Sequence, residues 1–256
     1  MINEHWKDLK NLILVAGHAV YTGDDFDKPE KDDNWFLQAF QKGEPPFYIE
    51  HIRQGVELAE KDQTALLVFS GGQTRLEAGP RSEAQSYWMI AHHFHWWWWT
   101  NVQLRATTEE FARDSFENVL FGICRFWECT GSYPTNLTVV SWGFKRRRFE
   151  MHLNAIGFPT GRFIFAGVND PVDLIGALRG EKDNALDPYA KDPYGTGAVP
   201  HQILQQNGPP KVVDLGKKRD ERNPFRRRHS YELSCPGLAG LLAHPGPMLF
   251  SPLPTY

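Results

Sequence analysis

The chain has 256 residues, 41% hydrophobic and 23% charged, with a formal net charge of −3. That size and apolar content suit one cored domain with a long extension, and the balance of charge supplies no basic field to draw in nucleic acid or acidic lipid. No apolar run has a signal-peptide layout or approaches the ~20 residues of a membrane span, and Cys124, Cys129 and Cys235 form neither a disulfide framework nor a zinc spacing, so buried thiols and a cytoplasmic location are expected.

Residues 12–16 (LILVA) read as a first strand running into Gly17 and His18. An acidic stretch over 23–34 follows, then a break at Glu44-Pro45-Pro46. From 48 to 60, Ile49, Ile52, Val56 and Ala59 recur at helical spacing. Residues 66–69 (LLVF) are a continuous apolar run and a candidate buried parallel strand. A helix is expected over 82–93, followed by Trp96–Trp99, read as an aromatic wall closing the helix end. Residues 102–106 form a weaker strand. Phe116, Val119, Leu120, Ile123 and Trp127 mark the clearest amphipathic helix. A strand over 137–140, a helix over 145–156 ended by Gly157, a strand over 162–166 and a helix opened by Asp170-Pro171 complete the pattern. Strand and helix alternate, which predicts a doubly wound α/β fold with a mostly parallel sheet. The domain is expected over 1–180. Residues 181–256, rich in Asp, Pro, Gly and Gln and then basic over 217–228, are expected to wrap over it, with a short docking helix at 238–242.

In such a sheet, ligands bind outside the carboxyl ends of the strands, so the turns after each strand carry the chemistry. Ser70-Gly71-Gly72 allows a sharp turn whose N–H groups approach a ligand, with the Ser70 and Thr74 hydroxyls as further donors. No G-x-G-x-x-G and no Walker lysine occurs. Ser82 and Gln85 have capping-box spacing, and Glu83 in the first turn suits the helix dipole; the same residues can also face a ligand. Asp114 and Glu117 raise the same alternative, whereas Asn118 has no capping duty at its offset and its carboxamide can read a polar edge. Lys145 to Arg148 puts four cations at a helix start, the unfavourable end for the dipole, and Lys145 and Arg148 share one face suited to an anion. His18 can serve as a general base or neutral donor. His92, His93 and His95 have no carboxylate at useful spacing, so no metal site is expected.

Taken in order, these turns resemble the ElyC/SanA/YdcF-type family, a domain-of-unknown-function group with a Rossmann-like fold. The likeness rests on the S-G-G turn (Ser70, Gly71, Gly72), the S-E-A helix start (Ser82, Glu83, Ala84), an E-x-x-A-x-x-[ST]-x-E-N segment (Glu109, Ala112, Ser115, Glu117, Asn118) and a turn similar to T-S-x-x-H-x-x-R (Ser141, Trp142, Lys145, Arg148). Lys145 stands where the family has histidine, and His18 is placed to supply the imidazole from another loop. The tail, including Arg222 to Arg226, looks like the longer intracellular eukaryotic branch. The resemblance implies a nucleotide-like or otherwise anionic small molecule, with S-adenosylmethionine suggested for one branch. The expectation is therefore a cytosolic transferase or hydrolase, or alternatively a non-catalytic metabolite-binding regulatory domain. His18, Glu109 and Lys145 are the catalytic candidates. Gly17, Ser70, Gly71, Gly72, Thr74, Ser82, Glu83, Ser115, Asn118, Ser141 and Arg148 are the ligand-binding candidates.

Overall fold

The computed structural model describes residues 4–195. The expected docking helix at 238–242, the basic stretch at 217–228 and Cys235 lie outside the described residues. Five strands form one all-parallel sheet: β1 (Asn11–Ala16), β4 (Ala65–Ser70), β5 (Ala106–Glu109), β6 (Asn136–Ser141) and β7 (Phe163–Gly167), in the order β5-β4-β1-β6-β7. Two short strands, β2 (Val20–Tyr21) and β3 (Trp35–Phe36), pair separately as an antiparallel ribbon.

Because successive strand side chains point to opposite faces, the apolar runs feed two cores. Ile13, Val15, Leu67 and Phe69 pack with Tyr48, Ile52 and Val56 of α1 (Pro45–Lys61) and with Ala84, Tyr87 and Ile90 of α2 (Glu83–His93). Leu12, Leu14, Leu66 and Val68 pack with Phe116, Val119, Leu120 and Ile123 of α3 (Ser115–Thr130) and with Phe149, Leu153 and Ile156 of α4 (Arg146–Ile156). Each buried Val, Leu, Ile or Phe among these contributes ~1.5–3 kcal/mol. Helices thus cover both faces, which makes the fold doubly wound and Rossmann-like, as the alternating pattern predicts. Cys124 and Cys129 are free, buried thiols. No helix among the described residues is long and apolar enough to cross a membrane.

Several boundaries differ from the sequence reading, each for a local reason. The Pro45-Pro46 break is the start of α1, where proline loses no hydrogen bond. The strand expected over 102–106 is instead a 3₁₀ segment, Thr100–Arg105. The Arg105 guanidinium donates to the carbonyls of Ala59, Asp62 and Ala65, and the chain joins the sheet only at Ala106, opposite Leu67. Helix α5 (Leu174–Glu181) starts four residues after Asp170, capped by Asp173 through the Gly176 N–H at 2.9 Å. It continues past residue 180 through a π turn, Lys182–Leu186, into α6 (Asp187–Lys191), with Ala185 and Tyr189 buried in the α3/α4 core. The aromatic run after α2 is divided: Trp96 enters the core against Phe69 and Trp88, while Trp98 is exposed.

Candidate functional site

The parallel register aligns the last residue of each strand. Glu109 pairs with Ser70, Ser70 with Ala16, Val15 with Val140, and Ser141 with Gly167. Neighbouring parallel strands lie ~4.8 Å apart, so one polar row crosses the carboxyl edge of the sheet. The strand order reverses between β1 and β6, and that switch point is where open α/β sheets hold ligands. His18 follows β1 and Lys145 follows β6, so both lie at this switch point. Two surface clefts lie elsewhere, one beside Trp88 and Thr107, the other beside Ile13 and Ile164.

His18 is half-buried. Its Nδ1 lies 3.4 Å from Lys145 Nζ and its Nε2 3.5 Å from Ser141 Oγ. An ammonium only donates, so Nδ1 accepts and the ring proton sits on Nε2, facing Ser141. The rings of Tyr48, His51 and Trp142 surround it at centroid distances of 5.7, 5.2 and 6.1 Å. Burial, then the charges of Lys145, His51 and Arg148, hold the His18 pKa well below the usual imidazole range, so it is neutral. Burial followed by Arg148 brings Lys145 down to about 8, against the opposing pull of Glu181, Glu44 and Glu83. No ion pair among the described residues includes Lys145. It therefore remains mostly an ammonium at neutral pH, and it has no carboxylate in ion-pair contact.

Glu83 occupies the other wall. The Thr74 hydroxyl donates to its Oε1 at 2.7 Å, and burial raises its pKa despite that bond. A Cβ on Gly17 would fall 2.7 Å from both Cβ and Oε2 of Glu83, and one on Gly71 would fall 2.6 Å from Oε2. These glycines are small to admit the glutamate, not to admit a ligand. The expected anion cradle at Ser70-Gly71-Gly72 is corrected accordingly. Gly71 N–H donates to the Glu109 carbonyl at 3.0 Å and Gly72 N–H to the Ala112 carbonyl at 2.6 Å. The first turn of α2 is spoken for as well: Glu83 and Ala84 N–H donate to the carbonyls of Gly72 and Gly71, and Gln85 N–H donates to Ser82 Oγ at 2.9 Å. Of the two roles open to Ser82, the structure assigns the cap.

Ser70, Glu109 and Asn118 form a second, buried cluster. Ser70 Oγ lies 2.5 Å from Glu109 Oε2 and 3.0 Å from Asn118 Oδ1, while Glu109 Oε1 accepts from the N–H groups of Phe111 and Ala112 at 2.6 and 3.1 Å. Burial raises Glu109 to about 7 against these bonds. A hydroxyl has one proton. Protonated Glu109 donates to Ser70, which then donates to Asn118; ionised Glu109 takes the Ser70 proton, and the Asn118 amide must turn its NH₂ toward Ser70. The cluster can thus store one proton near neutral pH.

Two candidates are directed elsewhere. Ser115, at the start of α3, lies 2.8 Å from His152 Nε2, beneath Tyr189 of α6, whose ring centroid is 4.4 Å from that of His152. Arg148 meets Glu181 of α5 at 2.8 Å. The anion that Arg148 holds is therefore part of the chain itself. Glu117 forms a buried pair with Arg113 at 2.5 Å, with Asp114 capping α3 through the Glu117 N–H at 2.9 Å. Residues missed in the sequence are Glu44 at the N-cap of α1, Tyr48 and His51 of α1, and Glu181 of α5. Tyr48 donates to Glu44 Oε2 at 2.6 Å, and His51 Nε2 lies 2.9 Å from the Val168 carbonyl, which fixes the proton on that nitrogen. The polar residues interrupting the apolar stripe of α1 were the available signal. Among the described residues no group of three or more His, Cys, Asp or Glu is placed to hold a metal ion.

The chain is similar to an uncharacterized protein of Saccharomyces cerevisiae, YOR238W, with 27% identity over 86% of each chain. No family model matches it, and no solved structure matches it.

Proposed function

We propose that this chain binds an anionic, nucleotide-like small molecule at the carboxyl edge of its sheet and acts on it by group transfer or hydrolysis. The observation that carries the reading is Lys145: a half-buried ammonium with no carboxylate in contact, set against a neutral histidine at the β1/β6 switch point. A desolvated, uncompensated cation favours an incoming anion, because charge-assisted bonds strengthen where water is excluded. His18 adds the proton chemistry. Its Nδ1 lone pair is engaged by Lys145, so a ligand oxyanion that draws the ammonium away frees that nitrogen to accept a proton. Glu83 and Ser141 border the same space, and the Glu109–Ser70–Asn118 cluster lies behind it, joined through the Gly17 N–H to Ser70 carbonyl bond of 2.8 Å.

S-adenosylmethionine fits this edge less well, since its sulfonium adds positive charge beside Lys145 and Arg148. The reading is tested by calorimetric titration of ADP and of S-adenosylmethionine into the wild-type chain and Lys145→Met. ADP should bind the wild type, and the variant should lose at least about tenfold in affinity. Equal ADP affinity in a folded variant removes Lys145 from the site. The regulatory reading, binding without turnover, is favoured by the internal use of the Gly71 and Gly72 donors; it is distinguished by following ADP breakdown in the same samples.

A further inference from the structure

Helix α5 has its polarity reversed. Of its eight residues, Leu174–Glu181, the one buried side chain is Glu181. Ile175 and Leu178, and Val172 just before the helix, are 68%, 48% and 91% exposed. A surface helix ordinarily turns its apolar stripe inward. Here the contact that holds the helix is a carboxylate on an arginine. That contact is also incomplete. Glu181 Oε2 meets one terminal nitrogen of Arg148 at 2.8 Å, while Arg148 Nε and Glu181 Oε1 are buried and find no hydrogen-bond partner among the described residues. Guanidinium and carboxylate usually meet through two parallel bonds, and a buried polar atom without a partner costs ~1–3 kcal/mol.

Charge points the same way. Arg148 and Lys145 lie one helical turn apart, and Glu181 supplies one negative charge in contact with one of them. A dianion would balance both cations and give Arg148 Nε an acceptor.

We infer that Glu181 stands in the place of a ligand's terminal phosphate, so that α5 and a phosphate-bearing ligand compete for Arg148. This rests on the reading of the switch-point crevice as an anion site and adds to it the class of the anion and an internal competitor. The start of the π turn at Lys182–Leu186 is the joint: buried Ala185 anchors the turn itself and buried Pro188 and Tyr189 anchor α6 beyond it, whereas α5 has no buried apolar side chain to hold it. Phosphate binding releases α5 at that joint and leaves α6 in its seat.

The experiment is titration of inorganic phosphate and, separately, citrate into the full chain as wild type, Glu181→Gln and Arg148→Gln, read by calorimetry. Glu181→Gln should bind phosphate at least about tenfold more tightly than the wild type, and Arg148→Gln should abolish binding. Since Glu181→Gln also weakens the seat of α5, hydrogen exchange on the wild type provides a second readout: phosphate should speed exchange of the amides of residues 174–181 and leave 187–191 unchanged. Equal phosphate affinity in wild type and Glu181→Gln, with loss in Arg148→Gln, overturns the competition and leaves the anion site standing. Citrate binding as tightly as phosphate overturns the assignment of the anion. Phosphate binding that ignores Arg148→Gln, or no phosphate binding by any form, overturns the inference together with the anion site.

Discussion

Replacing Glu109 with glutamine should make the protein's stability less sensitive to pH, and by a definite amount. Glu109 is 1% exposed, and burial lifts its pKa from the ordinary 4.5 to about 7. A group whose folded pKa exceeds its unfolded value stabilises the protein below the unfolded value, and that stability is lost as pH rises through the folded one. The loss therefore starts near pH 4.5 and is complete above pH 7. A rise of about 2.5 at ~1.4 kcal/mol per unit is about 3–4 kcal/mol. Glutamine reproduces the protonated acid. Its carbonyl accepts from Phe111 and Ala112 N–H, and its NH₂ donates to Ser70, which donates to Asn118. Urea unfolding followed by tryptophan fluorescence at pH 4.5, 6, 7 and 8.5 isolates this residue as the difference between the two proteins. Near-equal stability at pH 4.5 and a gap growing to about 3–4 kcal/mol in favour of the variant at pH 8.5 is expected. Parallel profiles would refute the reasoning, because they would mean that the carboxylate is as comfortable in the fold as in water.

Two other outcomes follow from contacts at the same edge. Gly17→Ala should destabilise the fold by at least ~1–3 kcal/mol, since the new Cβ meets Glu83 Cβ at 2.7 Å and the Ser70 carbonyl at 3.2 Å; an unchanged melting temperature would show that α2 can retreat. Lys145→Met should raise the His18 pKa without restoring it fully, because burial ranks ahead of Lys145 among the causes of its depression. Proton NMR of the imidazole against pH measures this directly, and no movement would separate the two side chains.

The sheet was legible because its inner strands β1 and β4 are buried on both faces and read as unbroken apolar runs; Leu66 to Phe69 is the clearest. The edge strand β5 was misplaced because the apolar pair Val102 and Leu104 precedes it, whereas its own residues include Thr107, Thr108 and Glu109. Val102 is buried in a 3₁₀ segment, a burial that periodicity reads as strand. At the site, the nearness of His18 to Lys145 and Ser141 follows from register, and register follows from topology. That His18 meets Lys145 and Ser141 was therefore readable from strand ends alone. The fates of Gly71 and Arg148 were not. Which carbonyl takes an N–H, and which acid takes a guanidinium, depends on where the loop after Glu109 and the helix carrying Glu181 come to rest, and neither has a local pattern that announces it. The reversed polarity of α5 was equally hidden. Ile175 and Leu178 give α5 an apolar side, and only the folded chain reveals that this side faces out.

The aligned strand ends also limit how this protein can change. Adding one residue in β4 ahead of Phe69 would set Phe69 where Ser70 now faces Glu109, and every side chain of the strand beyond the insertion would cross to the opposite face. Length is thus constrained at the heart of the molecule, while the amino-terminal rim of the sheet carries none of these hydroxyls and carboxylates. Insertions and deletions among descendants of this chain belong on that rim, and two homologues that differ there can share one chemistry.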